Sequence, residues 1–417
     1  MFMVEKDERM VKLAMTAIVA FGFISLFGDI IYEGARSAIP TYLEILAAPA
    51  FVVGFAMGLG EFLGYGLRLI SGYIADTTRA YWALTITGYA LIISIPLLAL
   101  TTDWRIAIFL VIIERTAKAI RTPARDTLIS VTTKGVGRGK AFGLHELMDQ
   151  IGATVGPAIM AGGVYYAMIN GATPKEQFLF AFSLLFIPYA MLLFVLLSGY
   201  LKMKEPAAEA LQEAKKVEVK EKLTSSYYFY TLAVMLNTAG LFPIALIQYK
   251  ATTLFIEALW VVPLLYLVVQ GIDAVAAPLS GAAYDRYGIK VLSLPFILSV
   301  LPTLFLGMPF IPNLPFPADV TTFLILSVIA FGIILGMQES IYRAAVADLT
   351  GITKRGIGYG LFSTAYGLGF LIAGSVLGYL LDLSVTNTIY MVYAIIYTIV
   401  LQLISVLFLY LAIRGKQ

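Results

Sequence analysis

Twelve apolar segments divide this sequence, and each is long enough to cross the ~30 Å hydrocarbon core of a membrane as a helix of about 20 residues. Of the 417 residues, 60% are hydrophobic and 13% are charged, a balance that an ordinary soluble domain does not have. The sequence therefore predicts an all-α polytopic membrane protein with twelve transmembrane helices. The predicted segments are residues 13–46, 50–75, 81–101, 105–131, 139–169, 177–201, 226–256, 259–284, 289–311, 319–348, 356–382 and 386–413.

The residue types argue against several functions. The chain has no cysteine, and His145 is its one histidine. A disulfide framework and a thiolate or histidine-rich metal site are therefore excluded. The phosphate-binding pattern G-x-x-x-x-G-K-[ST] does not occur, which disfavours ATP-driven pumping. We expect no metal, no cofactor, no nucleic-acid partner and no enzymatic activity.

The distribution of basic residues predicts the orientation. Nineteen lysines and arginines lie in the N-terminal tail, the even-numbered loops and the C-terminal tail, whereas the odd-numbered loops hold only Arg105 and Lys175. Cytoplasmic loops carry an excess of Lys and Arg, so both termini are predicted to be cytoplasmic. The N-terminal tail has no small-residue cleavage site and is interpreted as retained. We expect a multi-pass protein of the cell membrane.

Three short patterns occur twice along the chain, in the same order. The pairs are residues 72–79 with 281–290, 121–126 with 343–348, and 138–144 with 355–361. Such internal similarity is typical of transporters built from two repeats. It predicts two pseudo-symmetric six-helix halves, residues 1–201 and 226–417, joined by a hydrophilic cytoplasmic linker of residues 202–225.

Residues 281–290 read G-x-x-x-D-R-x-G-x-K, and residues 72–79 keep the glycine, the aspartate and a basic residue. These paired loops resemble the signature of the major facilitator superfamily of secondary transporters, and the pattern is most similar to its proton-coupled efflux members. The resemblance implies the fold of that family and transport by alternating access. Glycine lets helices approach closely, and the aspartate accepts hydrogen bonds from a helix N-terminus. The predicted gate residues are Gly72, Asp76, Arg79, Arg121, Asp126, Gly281, Asp285, Arg286, Gly288, Lys290, Arg343 and Asp348.

Two gate salt bridges are expected from the recurring spacing, Arg121 with Asp126 and Arg343 with Asp348. On the fifth predicted helix, Gly152, Gly156 and Pro157 form G-x-x-x-G-P, which is similar to a motif of antiporters in this family. Physically the glycines bring two helix backbones into contact, and the proline adds a bend. The alternative is a packing seam with no part in setting the direction of transport.

Ionisable side chains lie along one face of several predicted helices. Within residues 113–126, four charged residues at positions 0, +4, +7 and +11 form a single stripe. A charge near the bilayer centre costs roughly 2.5–3.5 kcal/mol, so these faces must meet water, protein or a partner charge. The stripes are Glu114, Lys118, Arg121 and Arg125 on the fourth helix, Asp29, Glu33 and Arg36 on the first, Glu61, Tyr65 and Arg68 on the second, and His145 with Asp149 on the fifth.

These stripes predict a wet cavity in the N-terminal half, with Asp29, Glu33 and Asp149 as proton-coupling residues. The second half is more neutral, since Gln270 stands where the first half has Glu61. We infer that amide and aromatic side chains of the second half shape the substrate wall. The predicted substrate-cavity residues are Arg36, Glu61, Arg68, Glu114, Arg115, Lys118, Gln248, Tyr249, Gln338, Tyr342 and Tyr366, with Asn237 nearby.

The leading hypothesis is a monomeric secondary transporter in the lipid bilayer that exports a small molecule by proton antiport. An alternative is import of an organic or inorganic anion by symport or exchange, with Arg36, Arg68, Arg115 and Lys118 as the clamp. A third hypothesis, from another class, is a receptor or scaffold that does not transport. The repeated gate patterns and the charged helices argue against it, because a scaffold has no use for costly buried charge.

Overall fold

The computed structural model describes residues 2–133, 138–212, 223–311, 319–350 and 355–415. Within these ranges all regular structure is helical, which confirms the predicted fold class. The α-helices are α1 (Phe2–Ile45), α2 (Ala50–Thr78), α3 (Tyr81–Ala90), α4 (Trp104–Thr132), α5 (Arg138–Ile169), α6 (Pro174–Leu184), α7 (Phe186–Gln212), α8 (Ser225–Ala239), α9 (Ile244–Leu254), α10 (Val261–Tyr287), α11 (Ser293–Leu298), α12 (Leu301–Gly307), α13 (Val320–Met337), α14 (Arg343–Leu349), α15 (Arg355–Ser384) and α16 (Ile389–Arg414). A π-helical turn, Gln338–Tyr342, joins α13 to α14.

Ten helical stretches in the described ranges are long and apolar enough to cross a membrane, so the chain is a multi-pass membrane protein. The prediction of twelve differs at two places. The fourth predicted helix, α4, is 29 residues long but carries the charged stripe, which lowers its hydropathy. The eighth and ninth predicted helices fall in one apolar stretch of 50 residues, Val261–Phe310. Gly288 ends α10 there at a φ of 65°, a conformation that favours glycine, so this stretch holds more than one helix.

By its contacts the chain forms two compact units. Unit 1 comprises Met1–Arg36, Leu67–Thr101 and Arg105–Glu218. Unit 2 comprises Ser37–Gly66, Thr102–Trp104 and Val219–Gln417. Helix α1 therefore ends in unit 2, and α2 begins there. The repeat-based halves, residues 1–201 and 226–417, stay a prediction; α7 reaches Gln212, and residues 213–222 of the predicted linker lie outside the described residues.

Glycines bring α1 and α5 together in unit 1. A Cβ atom added to Gly152 would lie 2.7 Å from the carbonyl oxygen of Leu26, and one added to Gly156 would lie 2.7 Å from the amide nitrogen of Gly34. Both distances are too short for any side chain, so the two backbones are in contact. Pro157 follows within the same helix. The G-x-x-x-G pattern thus forms a packing seam, as its chemistry suggested.

A second seam, which the sequence reasoning missed, lies within unit 2 between α2 and α15. A Cβ atom on Gly54 would lie 2.9 Å from the carbonyl carbon of Gly374, and one on Gly58 would lie 2.6 Å from the carbonyl oxygen of Phe370. Advancing four residues in α2 moves the contact back four residues in α15, so the helices are antiparallel. The signal was present as two G-x-x-x-G spacings, Gly54 with Gly58 and Gly374 with Gly378.

The predicted orientation can be tested by cysteine labelling, because the chain has no cysteine of its own. Lys175 and Lys204 are both exposed and stand near opposite ends of the apolar stretch Pro174–Glu209. We expect a membrane-impermeant maleimide added to intact cells to label the variant Lys175→Cys and not the variant Lys204→Cys. After permeabilisation both should react. Labelling of both variants from outside would contradict the predicted topology.

Candidate functional site

Three basic side chains of unit 1 surround one aromatic ring. Tyr32 is buried in α1, and the ammonium nitrogen of Lys118 lies 3.6 Å from the centroid of its ring. The guanidinium carbons of Arg115 and Arg36 lie 4.5 Å and 5.9 Å from the same centroid. Arg115 also donates a hydrogen bond to the Tyr32 hydroxyl. We call Tyr32, Arg36, Arg115 and Lys118 the Tyr32 cluster; cation–π attraction helps to hold these charges away from bulk water.

Two of the predicted acidic residues are neutralised by arginines. Glu114 is buried, and its carboxylate lies 3.4 Å from the guanidinium of Arg121 and 3.7 Å from that of Arg115. Glu33 is also buried and lies 3.8 Å from Arg36. Because α1 and α4 each supply both acidic and basic side chains, these residues form ion pairs.

Asp29 is different from these two acids. Among the residues that the structure describes, no hydrogen bond or ion pair within 4.0 Å is found for its carboxylate. Its Cβ atom lies at the α1–α5 seam, 2.9 Å from where a Cβ on Gly152 would be. The charges of Asp149, Lys118, Glu33 and Arg125 act on it from a greater distance. Asp29 is therefore an ionisable group in a membrane helix with no direct partner in the described part of the chain.

Asp149 has partners of its own. It accepts a hydrogen bond from the Ser25 hydroxyl and lies 3.9 Å from His145, four residues earlier in α5. The ring nitrogen Nε2 of His145 is 3.5 Å from the same hydroxyl. Ser25, which the sequence reasoning did not name, therefore links α1 to the acidic end of α5. A serine one helical turn before Asp29 was the available signal.

Glu61 and Arg68, which the sequence places on one stripe of α2, belong to different units. Arg68 lies in unit 1, whereas Glu61 lies in unit 2. In unit 2 the ring of Tyr65 contacts that of Tyr366, with the centroids 5.4 Å apart. The stripe therefore lies along one helix, but Glu61 and Arg68 at its two ends have different surroundings.

Unit 2 holds a buried hydrogen-bond network without formal charge. The Asn237 amide donates to Gln402 at 2.7 Å, and the Gln402 amide donates back to the Asn237 backbone carbonyl at 2.9 Å. The side-chain oxygen of Asn237 accepts from the Tyr342 hydroxyl at 2.7 Å and from the Gln338 amide at 3.2 Å. Tyr366 donates its hydroxyl to Gln338 at 2.9 Å. We call these five residues the Asn237 network.

The Asn237 network is built around the π-helical turn. Gln338 and Tyr342 are the first and last residues of that turn, and π turns inside helices occur frequently at functional sites. Tyr230 anchors the turn by donating to the backbone carbonyl of Tyr342 at 2.9 Å. Gln402 and Tyr230 were missed by the sequence reasoning. A glutamine in the otherwise apolar α16 was the signal that could have found the first of them.

Gln248 and Tyr249 hold the end of α1 within unit 2. The Gln248 amide donates to the backbone carbonyl of Ser37 at 2.7 Å, and the Tyr249 hydroxyl donates to that of Ala48 at 3.0 Å. Both side chains therefore bind main-chain atoms of the first helix and the loop after it. The sequence prediction had placed them on the substrate wall.

The predicted gate aspartates bind tyrosines in both units. Asp76 accepts from the Tyr81 hydroxyl at 2.9 Å, and Asp348 accepts from the Tyr284 hydroxyl at 3.0 Å. Arg79 ends α2 with a φ of 55°. Each unit thus has a tyrosine–aspartate bond next to its signature loop.

The remaining gate residues lie close to these bonds. Arg121 pairs with Glu114, and Asp126 pairs with Arg125 at 2.8 Å, so the expected bridge between Arg121 and Asp126 is replaced by two others. Arg121 reaches Glu114 because positions seven apart on a helix share a face, whereas positions five apart do not. A Cβ on Gly72 would meet Pro123, and one on Gly281 would meet Ser340. The backbone carbonyl of Arg343 accepts from Tyr359, and the side chains of Asp285, Arg286 and Lys290 are exposed.

The Asn237 network should contribute measurably to stability. The variant Asn237→Leu would remove the acceptor of Tyr342 and Gln338 and the partner of Gln402. Orphaned buried groups cost about 1–3 kcal/mol in soluble proteins, and hydrogen bonds between membrane helices average about 0.6 kcal/mol. We expect a loss of about 1–3 kcal/mol, seen as a lower thermal unfolding midpoint in detergent. The matched variant Asn170→Leu changes an exposed residue and should melt like wild type; equal midpoints for the two variants would contradict the prediction.

The membrane-spanning helices carry paired charges in one unit and an uncharged polar network in the other. This arrangement is typical of a polytopic membrane transporter. The sequence profile of the Major Facilitator Superfamily matches residues 15–310 and 227–416. The chain belongs to this family of membrane transporters, which confirms the resemblance seen in its loops.

Relatives match over most of the chain. Uncharacterized protein Rv2265 of Mycobacterium tuberculosis (strain ATCC 25618 / H37Rv) is 33% identical over 385 residues, 91% of this chain and 90% of that protein. The uncharacterized MFS-type transporter MJ1317 of Methanocaldococcus jannaschii is 25% identical over 374 residues, 88% of this chain and 89% of that protein. The multidrug resistance protein MdtH of Photorhabdus laumondii is 33% identical over 119 residues, 28% of this chain and 29% of that protein.

The fold is also similar to a solved structure. The crystal structure of the nucleoside transporter NupG has a TM-score of 0.69 and 14% sequence identity, with 96% of this chain and 99% of that chain covered. At this identity the similarity concerns the fold alone.

Proposed function

We propose that the protein is a secondary active transporter that works by alternating access and exports a small molecule in exchange for protons. Membership of the Major Facilitator Superfamily supports the transport class. The partial similarity to the multidrug resistance protein MdtH supports the export direction. The lysine and arginine distribution supports cytoplasmic termini in the cell membrane.

The coupling proposal rests on the surroundings of the Asp29 carboxylate. Glu33 and Glu114 each have an arginine within 4.0 Å, so their charges are compensated where they stand. Asp29 has no direct partner in the described part of the chain, although it lies inside the apolar stretch Ala14–Ile45. A carboxylate in that position gains most from binding a proton or a cation. Asp29 is therefore the first proton site, with Asp149 and Glu33 as its neighbours.

Lys118 supplies the countercharge in this scheme. It has no ion pair within 4.0 Å among the described residues, and the charges of Glu33 and Asp29 act on it. When Asp29 binds a proton, Lys118 loses part of its compensating negative charge, while its ammonium stays 3.6 Å from the centroid of the Tyr32 ring. A cationic substrate and a proton would thus compete for one acidic site beside a fixed lysine, which is the requirement for antiport.

The Tyr32 cluster favours a second candidate function, transport of an anion by symport or exchange. Arg36, Arg115 and Lys118 approach the same ring, and a carboxylate or phosphate would find three donors there. In this version the substrate itself compensates Lys118. Glu33 and Glu114 already satisfy part of the arginine charge, which is why the cation exporter is preferred.

Proton release in weak buffer separates these functions. Purified protein in detergent would be mixed with a lipophilic cation such as tetraphenylphosphonium or ethidium, and separately with aromatic and aliphatic carboxylates. Proton release on adding a cation would support the exporter if it is absent in the variant Asp29→Asn and retained in the control Asp319→Asn. Asp319 is a suitable control because it caps α13 outside the apolar stretch, and asparagine can also cap a helix. Uptake with a carboxylate, lost in Lys118→Gln, would support the anion transporter. No signal with any compound would favour the scaffold.

A further inference from the structure

An apolar groove of about 640 Å³ lies on the outer surface of unit 2, between α10, the broken helices after it, and α13. Val268, Val275 and Leu279 of α10, Leu294 of α11 and Met337 of α13 are among the residues that line it. The hydroxyl of Ser280, which also reaches the groove, is satisfied by the Ala277 carbonyl at 2.9 Å. The groove is therefore lined by apolar side chains, and the Ser280 hydroxyl already donates its hydrogen bond to the protein backbone.

The groove exists because the chain packs imperfectly there. Pro278 lies inside α10 and has no amide hydrogen to donate, and the segment after Gly288 is divided into the short helices α11 and α12 in place of one long helix. Gly271 leaves further space, since a Cβ atom added to it would meet no atom within 4 Å. Val275 and Leu279 keep 61% and 66% of their surface exposed, so the groove is open at the protein surface.

The groove is long enough to hold the part of a lipid chain that lies in one leaflet. From Val268 to Ala283 the lining of α10 extends over fifteen residue-to-residue steps, or about 22 Å along the helix axis at ~1.5 Å per residue. One leaflet occupies about half of the ~30 Å hydrocarbon core. An acyl chain of one leaflet can therefore lie along about two-thirds of the groove.

Basic residues stand at one end of the groove. Arg286 follows Ala283 by three residues and Leu279 by seven, so it continues the groove-lining face of α10. Lys290 directly precedes Val291, which also lines the groove. Both basic side chains are exposed, and Asp285 projects from a different side of the helix. On the proposed orientation this end faces the cytoplasm, where anionic lipid headgroups concentrate.

We propose that this groove binds one anionic phospholipid of the inner leaflet, with an acyl chain along α10 and its phosphate at Arg286 and Lys290. Hydrocarbon lining alone would accept any lipid, because lipid tails are as apolar as the groove. The two cations supply the selectivity for negative charge. The site is separate from Asp29 and the Tyr32 cluster, and it does not depend on which substrate the protein carries.

The test counts bound lipid on the full-length protein. Protein in detergent is incubated with equal amounts of phosphatidylglycerol and phosphatidylcholine of the same acyl chains, and retained lipid is measured by native mass spectrometry. Wild type should retain one phosphatidylglycerol in preference to phosphatidylcholine. Each basic residue near a headgroup is worth about a fivefold change in binding, so the double variant Arg286→Gln/Lys290→Gln should lose roughly 20- to 30-fold in preference. The double variant Lys202→Gln/Lys204→Gln, which neutralises two exposed lysines of α7, should keep it.

Filling the groove gives an independent test. The variant Gly271→Phe places a ring in the open space and should reduce phosphatidylglycerol retention at least about fivefold, an effect similar to losing one headgroup contact. Gly162 in α5 also has no atom within 4 Å of an added Cβ, so Gly162→Phe is the matched control and should bind like wild type. Equal retention by the two phenylalanine variants, or equal retention of both lipids by wild type, would overturn the proposal. Neither result bears on proton coupling.

Discussion

Replacing Asp29 by asparagine is expected to abolish substrate movement driven by a pH gradient in membrane vesicles. Each pH unit is worth 1.36 kcal/mol per proton exchanged, so one proton per cycle supports about a tenfold substrate gradient per pH unit. Asparagine cannot exchange a proton and would leave no pH-dependent accumulation. The side chain keeps its size, so the α1–α5 seam at Gly152 should be undisturbed.

The measurement is uptake of a compound that gave a proton signal, into inside-out vesicles with an imposed pH gradient. Exchange of labelled for unlabelled substrate across the same vesicles should survive in Asp29→Asn, because exchange needs no proton. The conservative variant Asp29→Glu should keep pH-driven uptake at a reduced rate. Full pH-driven accumulation in Asp29→Asn would refute the assignment of Asp29 as proton site.

Replacing Gly54 by leucine is expected to prevent α2 from packing on α15 and to stop transport. The carbonyl carbon of Gly374 lies 2.9 Å from where the new Cβ would be, and Ala50 and Phe51 donate their amides to Asp382 at 2.7 Å and 2.8 Å at the end of the same seam. Overpacking costs about 1–3 kcal/mol or more, which shifts a two-state equilibrium by about 5- to 150-fold. Alternating access requires the protein to reach both its inward-open and its outward-open conformation, so the transport cycle should stop.

Cysteine accessibility reports the seam directly. Leu371 borders it, since its Cα lies 2.8 Å from where a Cβ on Gly58 would be. In a Leu371→Cys background we expect maleimide labelling to increase by about five- to 150-fold in rate when Gly54→Leu is added. The control Gly162→Leu, at a glycine with open space, should leave labelling and transport unchanged. Unaltered labelling together with normal transport in Gly54→Leu would show that the seam is not required.

The helical membrane fold and the family could be predicted from the sequence because the signals are local. A run of about 20 apolar residues crosses the membrane whatever surrounds it, and a glycine-rich signature loop can be recognised without its neighbours. Two of the twelve predicted spans are not separate apolar stretches in the described ranges. Helix α4 carries a charged stripe that lowers its hydropathy, and Val261–Phe310 contains two predicted helices in one apolar stretch.

Helical spacing correctly put Asp29, Glu33 and Arg36 on one face of α1, since a 3.6-residue period is a property of the chain alone. It could not tell which acid has a partner. Glu33 pairs with Arg36, whereas Asp29 has no partner within 4.0 Å among the described residues. The Glu33–Arg36 pair lies within one turn of α1, whereas Asp29 stands at the contact with Gly152 of α5, a segment distant in the sequence.

The sequence by itself determined the class of this protein, its helices, its signature loops and the faces that carry charge, because these follow from hydropathy, helical period and short motifs. Only the tertiary structure decided the partners. Gln402 and Tyr342 meet Asn237, and Gly54 meets Gly374. Partner choice between distant segments depends on the summed packing of whole helices, which no local pattern encodes.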